Sequence, residues 1–172
     1  MPELELLKRI PLFRDCSDKE LVEVGNLMQR TDFKANDVIF KAGDSGDAIY
    51  LIIKGEVEVL VPSADKDDDC WDALVVLGPG ELFGEMALIE DMKRSATLRA
   101  VSDCKMWKIK KPSFDEFVGA KSEIAYKIYK NLTSILCRRL RETTAHLAEN
   151  RFYAKVEFDL MSAPSERGEW FG

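Results

Sequence analysis

Hydrophobic positions recur with more than one period along this chain, and each change of period marks a change of element. Near the start, Leu21, Val24, Leu27 and Met28 fall on one face at helical spacing, with Glu23 and Asn26 outside it, which predicts an amphipathic helix packed on a core. Ser17 followed by Glu20 reads as a capping box at its entrance. From Phe33 to Ile109 the pattern shortens to strand-like runs separated by glycine, proline or acidic turns. Val57, Val59 and Val61 alternate with Glu56, Glu58 and Leu60, as a half-buried strand should. Ile49 to Ile53 and Ala73 to Leu77 are more continuously apolar and predict strands covered on both faces. After Lys111-Pro112, Ser113 is placed to cap a short helix through Val118, with Gly119 as its stop. Ile124, Ile128, Leu132, Leu136, Leu140, Thr143 and Leu147 then form the stripe of a longer helix.

Short strands without helices between them, flanked by helices at both ends, predict a mainly β chain. The expected architecture is an antiparallel β jelly roll of the double-stranded β-helix type, with an N-terminal helix and a long C-terminal helix. Its organisation is an N-terminal helical segment at 1–32, the roll at 33–112, C-terminal helices at 113–150 and a tail at 151–172. A length of 172 residues suits one core domain with an appended helical element and is tight for two.

A formal net charge of −6 argues against general affinity for nucleic acid or an anionic membrane, so any anion must be held locally. Cys16, Cys70, Cys104 and Cys137 stand far apart with no C-x-x-C pair, and nothing at the N-terminus reads as a signal peptide, which predicts a reduced, cytoplasmic protein. No apolar run is long enough to span a bilayer. Asp65, Asp67, Asp68 and Asp69 cluster in a turn-rich stretch but lack the glycine and terminal glutamate of a helix-flanked calcium loop; a solvated hairpin loop and no metal are expected.

The chemistry concentrates in FGEMALIEDMKRSATLRA, Phe83 to Ala100. Gly84 lets backbone approach a ligand closely, and Glu85 to Ile89 are mostly good helix formers whose opening turn would aim N–H groups at an anion. Arg94 lies too far along to share that turn and must return from the next segment, bringing a planar fork suited to phosphate oxygens. Ser95 adds a hydroxyl. A carboxylate at Glu85 repels an anion unless hydroxyl donors or the arginine occupy it, and a sugar diol would do so. Arg99, by contrast, reads as a solvated surface charge.

One phosphate and one ribose hydroxyl are what these parts ask for, and the segment resembles the phosphate-binding cassette of the cyclic nucleotide-binding domain family. Upstream, KAGDSGDAIYLIIKGEVEVLV, Lys41 to Val61, resembles the family's glycine-punctuated strand pattern. The resemblance implies a cassette at 83–97 in which Phe83, Gly84, Glu85, Met86, Ala87, Arg94, Ser95 and Ala96 surround the ligand. In it, backbone N–H groups and Arg94 take the cyclic phosphate while Glu85 takes the ribose 2′-hydroxyl. Lys93 stands where the family often has proline. The implied ligand is cAMP, with cGMP open because some cGMP-selective members carry a hydroxyl residue after the arginine, as Ser95 does here.

Thr143 and Thr144 follow Cys137-Arg138-Arg139-Leu140 much as paired hydroxyl residues that reach the adenine do in bacterial members, which makes them candidates for the base; helix capping is the other reading. The apolar stripe of the long helix can cover the roll or pair with a second copy, so the partners expected are the nucleotide and either a homodimer through that helix or an effector protein. Arg151 to Gly172 are too few and not basic enough for a helix-turn-helix, so DNA binding is not expected of this stretch, and Ala154 to Gly172, mixing Pro164, Gly168, Trp170 and Phe171 with charges, reads as a short arm or a partly disordered tail. A cupin-type metal enzyme would share the roll but needs several histidines, and the chain has only His146; no enzymatic activity is expected. The remaining alternative is a roll that mediates interaction or dimerisation without binding nucleotide.

Overall fold

The computed structural model describes residues 2–62, 71–90 and 92–162, with 87–88 and 149–162 as backbone. Two compact units are present, Met1–Leu132 and Thr133–Gly172. In the first, α1 (Leu4–Lys8), a 3₁₀ turn (Pro11–Phe13) and α2 (Asp18–Gly25) precede eight strands. These are β1 (Gln29–Phe33), β2 (Val38–Phe40), β3 (Ala48–Lys54), β4 (Val57–Pro62), β5 (Trp71–Leu77), β6 (Leu82–Phe83), β7 (Thr97–Ala100) and β8 (Cys104–Lys110). The single-turn α3 (Met86–Ile89) lies between β6 and β7, and α4 (Lys111–Ala120) and α5 (Ser122–Ser162) follow β8.

The strands form two antiparallel four-stranded sheets, ordered β1-β8-β3-β6 and β2-β7-β4-β5, which is the expected jelly roll. Between them lie Ala48, Tyr50 and Ile52 of β3, Val57, Leu77, Phe83, Leu98, Ala100, Cys104 and Met106. The other side of β3 is also buried: Ile49 and Leu51 line a small void with Leu12, Phe13, Met28 and Trp107. That two-sided burial explains the unbroken apolar run of β3.

Several elements depart from the sequence pattern for identifiable reasons. Ala73–Leu77 is not covered on both faces: β5 is an edge strand, and Leu74, Val75 and Val76 are exposed, with only Leu77 buried. The alternation in β4 breaks where the β4–β5 register shifts between Val59 and Leu60, so Leu60 is buried and Val61 only partly. The first strand starts at Gln29, ahead of Phe33, because an edge strand bearing Gln29, Arg30 and Asp32 carries little apolar signal. Ser113 does not cap α4; the helix starts at Lys111 with Pro112 in its first turn, where a missing N–H costs nothing, and Gly119 lies inside it. The long helix α5 continues through Ser162, beyond 150, because good helix formers persist and no glycine or proline interrupts them before Pro164.

The capping box forms as expected: Ser17 Oγ accepts from the Glu20 N–H at 3.4 Å, and the Glu20 carboxylate accepts from the Ser17 N–H at 2.6 Å. Leu21, Val24 and Met28 are buried. Asn131 on α5 donates to the Leu12 and Arg14 carbonyls at 3.1 and 2.7 Å, and Lys127 Nζ lies 2.8 Å from Glu20 Oε1, tying the start of α5 to the N-terminal segment. Cys16, Cys104 and Cys137 are free thiols. The aspartate cluster at 65–69, Cys70, and the tail residues Trp170 and Phe171 lie outside the described residues.

Candidate functional site

Local pairing builds the site before any side chain is considered. The turn after β2 and the segment before β7 exchange backbone bonds, Gly43 N–H to the Arg94 carbonyl at 2.9 Å and Arg94 N–H to the Asp44 carbonyl at 2.8 Å. Thr97 Oγ1 adds a third link by accepting from the Ala42 N–H at 3.0 Å. These contacts anchor Arg94 between strands far apart in sequence and turn its side chain inward, where the residue is 7% exposed.

The guanidinium is held by its edge. Nη1 donates to the Gly84 carbonyl at 3.2 Å, and Nη2 donates to the Ala48 carbonyl at 2.8 Å and faces Asp47 Oδ1 at 3.4 Å. Nε is buried and has no hydrogen-bond partner among the described residues. Asp47 is itself well exposed and also lies 3.5 Å from Lys108 Nζ, so it screens the cation weakly. Gly84 adopts φ +74°, and a Cβ there would sit 2.5 Å from Arg94 Nη1 and 3.0 Å from the Ala48 oxygen. Both the backbone conformation and the space therefore require glycine.

Glu85 follows in helical conformation and is 6% exposed, at the entrance of α3. A buried cation thus contacts Gly84, and the next residue in the chain is a buried carboxylate, a combination suited to a ligand with an anionic and a hydroxyl part. Met86 opens α3 and is exposed; Ala87 lies in that turn as backbone. Ser95 is exposed, its Oγ 3.9 Å from Met86 Sδ. Phe83 and Ala96 belong to the core: the Phe83 ring stacks on Tyr50 with centroids 5.1 Å apart, and Ala96 packs beside the same cluster.

Thr143 and Thr144 are on α5 in the second unit, both exposed. The Thr144 hydroxyl donates to the Leu140 carbonyl at 2.8 Å, which uses its hydrogen within the helix and leaves it an acceptor. Arg99 is not simply solvated; it lies opposite Glu58 across β4 and β7 and donates from Nε to Glu58 Oε1 at 2.6 Å. Two members of the arginine's surroundings, Asp47 and the Ala48 carbonyl, were missed by the sequence reading, although Asp47 stands directly after Gly46 in the glycine-punctuated stretch. Among the described residues no group of His, Cys, Asp and Glu is arranged to hold a metal ion, and no helix is long and apolar enough to cross a membrane.

The model of the cyclic nucleotide-binding domain matches residues 30–121, the roll with its cassette and the start of the C-terminal helices. Among curated proteins, the cyclic AMP receptor protein of Thermus thermophilus is 31% identical over 161 residues, covering 94% of this chain and 66% of that protein. The cAMP-dependent protein kinase regulatory subunit of Dictyostelium discoideum is 28% identical over 115 residues, 67% of this chain and 35% of that one. A solved cyclic nucleotide-binding domain from Methylobacillus flagellatus superimposes with a TM-score of 0.76 at 26% identity, covering 86% of this chain and 81% of that domain. The chain spans no more than 66% of either curated relative.

Proposed function

The chain belongs to the cyclic nucleotide-binding domain family, and from that premise we propose that it is a regulatory module that binds a 3′,5′-cyclic nucleotide, cAMP in preference to cGMP. The observation that carries this reading is the Arg94 guanidinium, buried and fixed to carbonyls while its Nε–H has no acceptor among the described residues. Leaving a buried donor unmatched costs about 1–3 kcal/mol, more for a charged group, and a phosphate oxygen at that point would remove the cost. Glu85 takes the ribose 2′-hydroxyl, and the backbone of Gly84 to Ala87 lies against the phosphate. Thr143 and Thr144 remain the candidates for the base.

Binding becomes a signal only if the ligand has different affinity for two positions of the C-terminal helix, and movement of α5 is the output proposed here. Leu140 and Leu147 are 67% and 59% exposed on α5, which suits a reader that covers them, either a second copy or an effector protein.

Titration calorimetry of cAMP and cGMP against the chain and its Arg94→Ala variant tests the reading. The wild type is expected to bind and the variant to bind at least about thirtyfold more weakly, the loss of one partner of a buried charged contact. Absence of heat with either nucleotide at millimolar concentration would leave the roll as an interaction or dimerisation module.

A further inference from the structure

Arg94 is held by its face as well as by its edge. Its Cζ lies 4.1 Å from the centroid of the Phe40 ring. Phe40 ends β2, opposite Leu98 of β7, and its ring leans on Tyr50 at 6.1 Å and on Phe83 at 5.9 Å. Those two rings are stacked with planes 10° apart, so the surface behind Phe40 is rigid. The carbonyls of Gly84 and Ala48 fix the two terminal nitrogens but leave the guanidinium plane free to tilt about the line joining them. A ring on the face removes that freedom and at the same time attracts the cation in a place shielded from water.

Resting on the reading of the cassette as a nucleotide site, we propose that Phe40 is a positioning residue of that site. Its ring sets the tilt of the Arg94 guanidinium so that the unpaired Nε–H meets a phosphate oxygen. Neither the cassette motif nor the strand pattern upstream includes it, because Phe40 precedes Lys41 and reads in sequence as an ordinary apolar strand position. The competing account is that Phe40 merely fills space beside the core cluster, where it packs partly buried. The two differ in what they depend on: packing follows the size of the ring, whereas attraction for a cation follows the electron density of its face.

Replacing Phe40 in the full chain with mono-, di- and trifluorophenylalanine withdraws that density at nearly constant shape. The dissociation constant for cAMP is expected to rise stepwise, reaching about three- to tenfold with the trifluorinated ring, while the melting temperature holds. A flat series, or a loss of affinity that only follows a loss of stability, overturns the proposal. If the wild type binds neither nucleotide, the functional reading fails by itself, and the ligand-free chain decides the role of Phe40 by NMR. The Arg94 Nε–H resonance should then be displaced by the ring current in wild type and return toward those of the other arginines in Phe40→Leu; a resonance that is not displaced overturns the positioning role as well.

Discussion

Two polar clusters in the Met1–Leu132 unit, a half-buried one around Asn131 and Glu20 and a buried one around Arg94, are completed differently. Asn131 places its amide against two carbonyls, and Lys127 reaches both Glu20 oxygens, of which Oε2 also accepts from the Ser17 backbone and hydroxyl. The Asn131 amide, the Lys127 ammonium and the Ser17 N–H and hydroxyl each have an acceptor. Around Arg94 the carbonyls of Gly84 and Ala48 and the ring of Phe40 hold the guanidinium, yet among the described residues Nε has no acceptor. Burial of polar groups therefore has two meanings in one fold. A cluster completed by the chain contributes stability, and under the proposed function the cluster left one acceptor short is completed by the ligand.

If the comparison holds, removing a residue from each cluster should separate affinity from stability. The largest effect is expected at Arg94, where Ala loses about 2–5 kcal/mol of nucleotide binding but changes folding stability by less than about 1 kcal/mol, since the lost carbonyl bonds are offset by removal of an unmatched buried donor. At Asn131 the order reverses. Asn131→Ala strands two carbonyls that the amide now satisfies and should lower unfolding free energy by about 2 kcal/mol in a denaturant titration, with nucleotide affinity of the folded protein within twofold. An Asn131 variant that folds well and binds poorly would break the distinction.

Gly84→Ala sharpens it, because this one position serves both quantities. The backbone sits at φ +74°, so a side chain is strained by about 1–2 kcal/mol whatever else moves. The new methyl would also sit 2.5 Å from Arg94 Nη1, too close for both, and should push the guanidinium off the Gly84 carbonyl. Both a lower melting temperature and roughly tenfold weaker binding are expected. Gly43→Ala is the control, with comparable φ at +87° but no described atom within 4 Å of its Cβ: it should lose stability and keep affinity.

How far the sequence announces these features depends on the range over which each is determined. The capping box is local, and Ser17 with Glu20 could be read directly. The apolar runs of β3 and β5 look alike in sequence, yet one is buried on both faces and the other is an exposed edge, because strand order is not encoded in either run alone. The break of alternation at Leu60 needs the register of β5, and the early start of β1 is hidden by its polar edge residues. Within the cassette, Gly84, Glu85 and Arg94 were legible as a motif. Phe40, Asp47 and the Ala48 carbonyl were not, since they reach the arginine through the fold and carry no spacing relation to it.

The smallest effect is expected from the cluster that folding completes, and it is a dependence on pH. The Lys127 ammonium, together with the Ser17 backbone and hydroxyl bonds, lowers the Glu20 carboxyl from 4.5 to about 2. A group whose folded pKa lies below its unfolded value stabilises the fold above the unfolded value and loses that contribution as protons bind. The contribution of Glu20 is therefore complete above about pH 4.5 and disappears as pH falls toward 2. Solvent screening limits it to about 1 kcal/mol, because the Lys127 side chain is 23% exposed. Thermal melts between pH 2 and 6 should show an acid limb that is shallower in Glu20→Gln than in wild type, with the two curves converging at the lowest pH. Parallel limbs would mean that Glu20 and Lys127 meet without contributing, and the contrast with Arg94 would then rest on Asn131 alone.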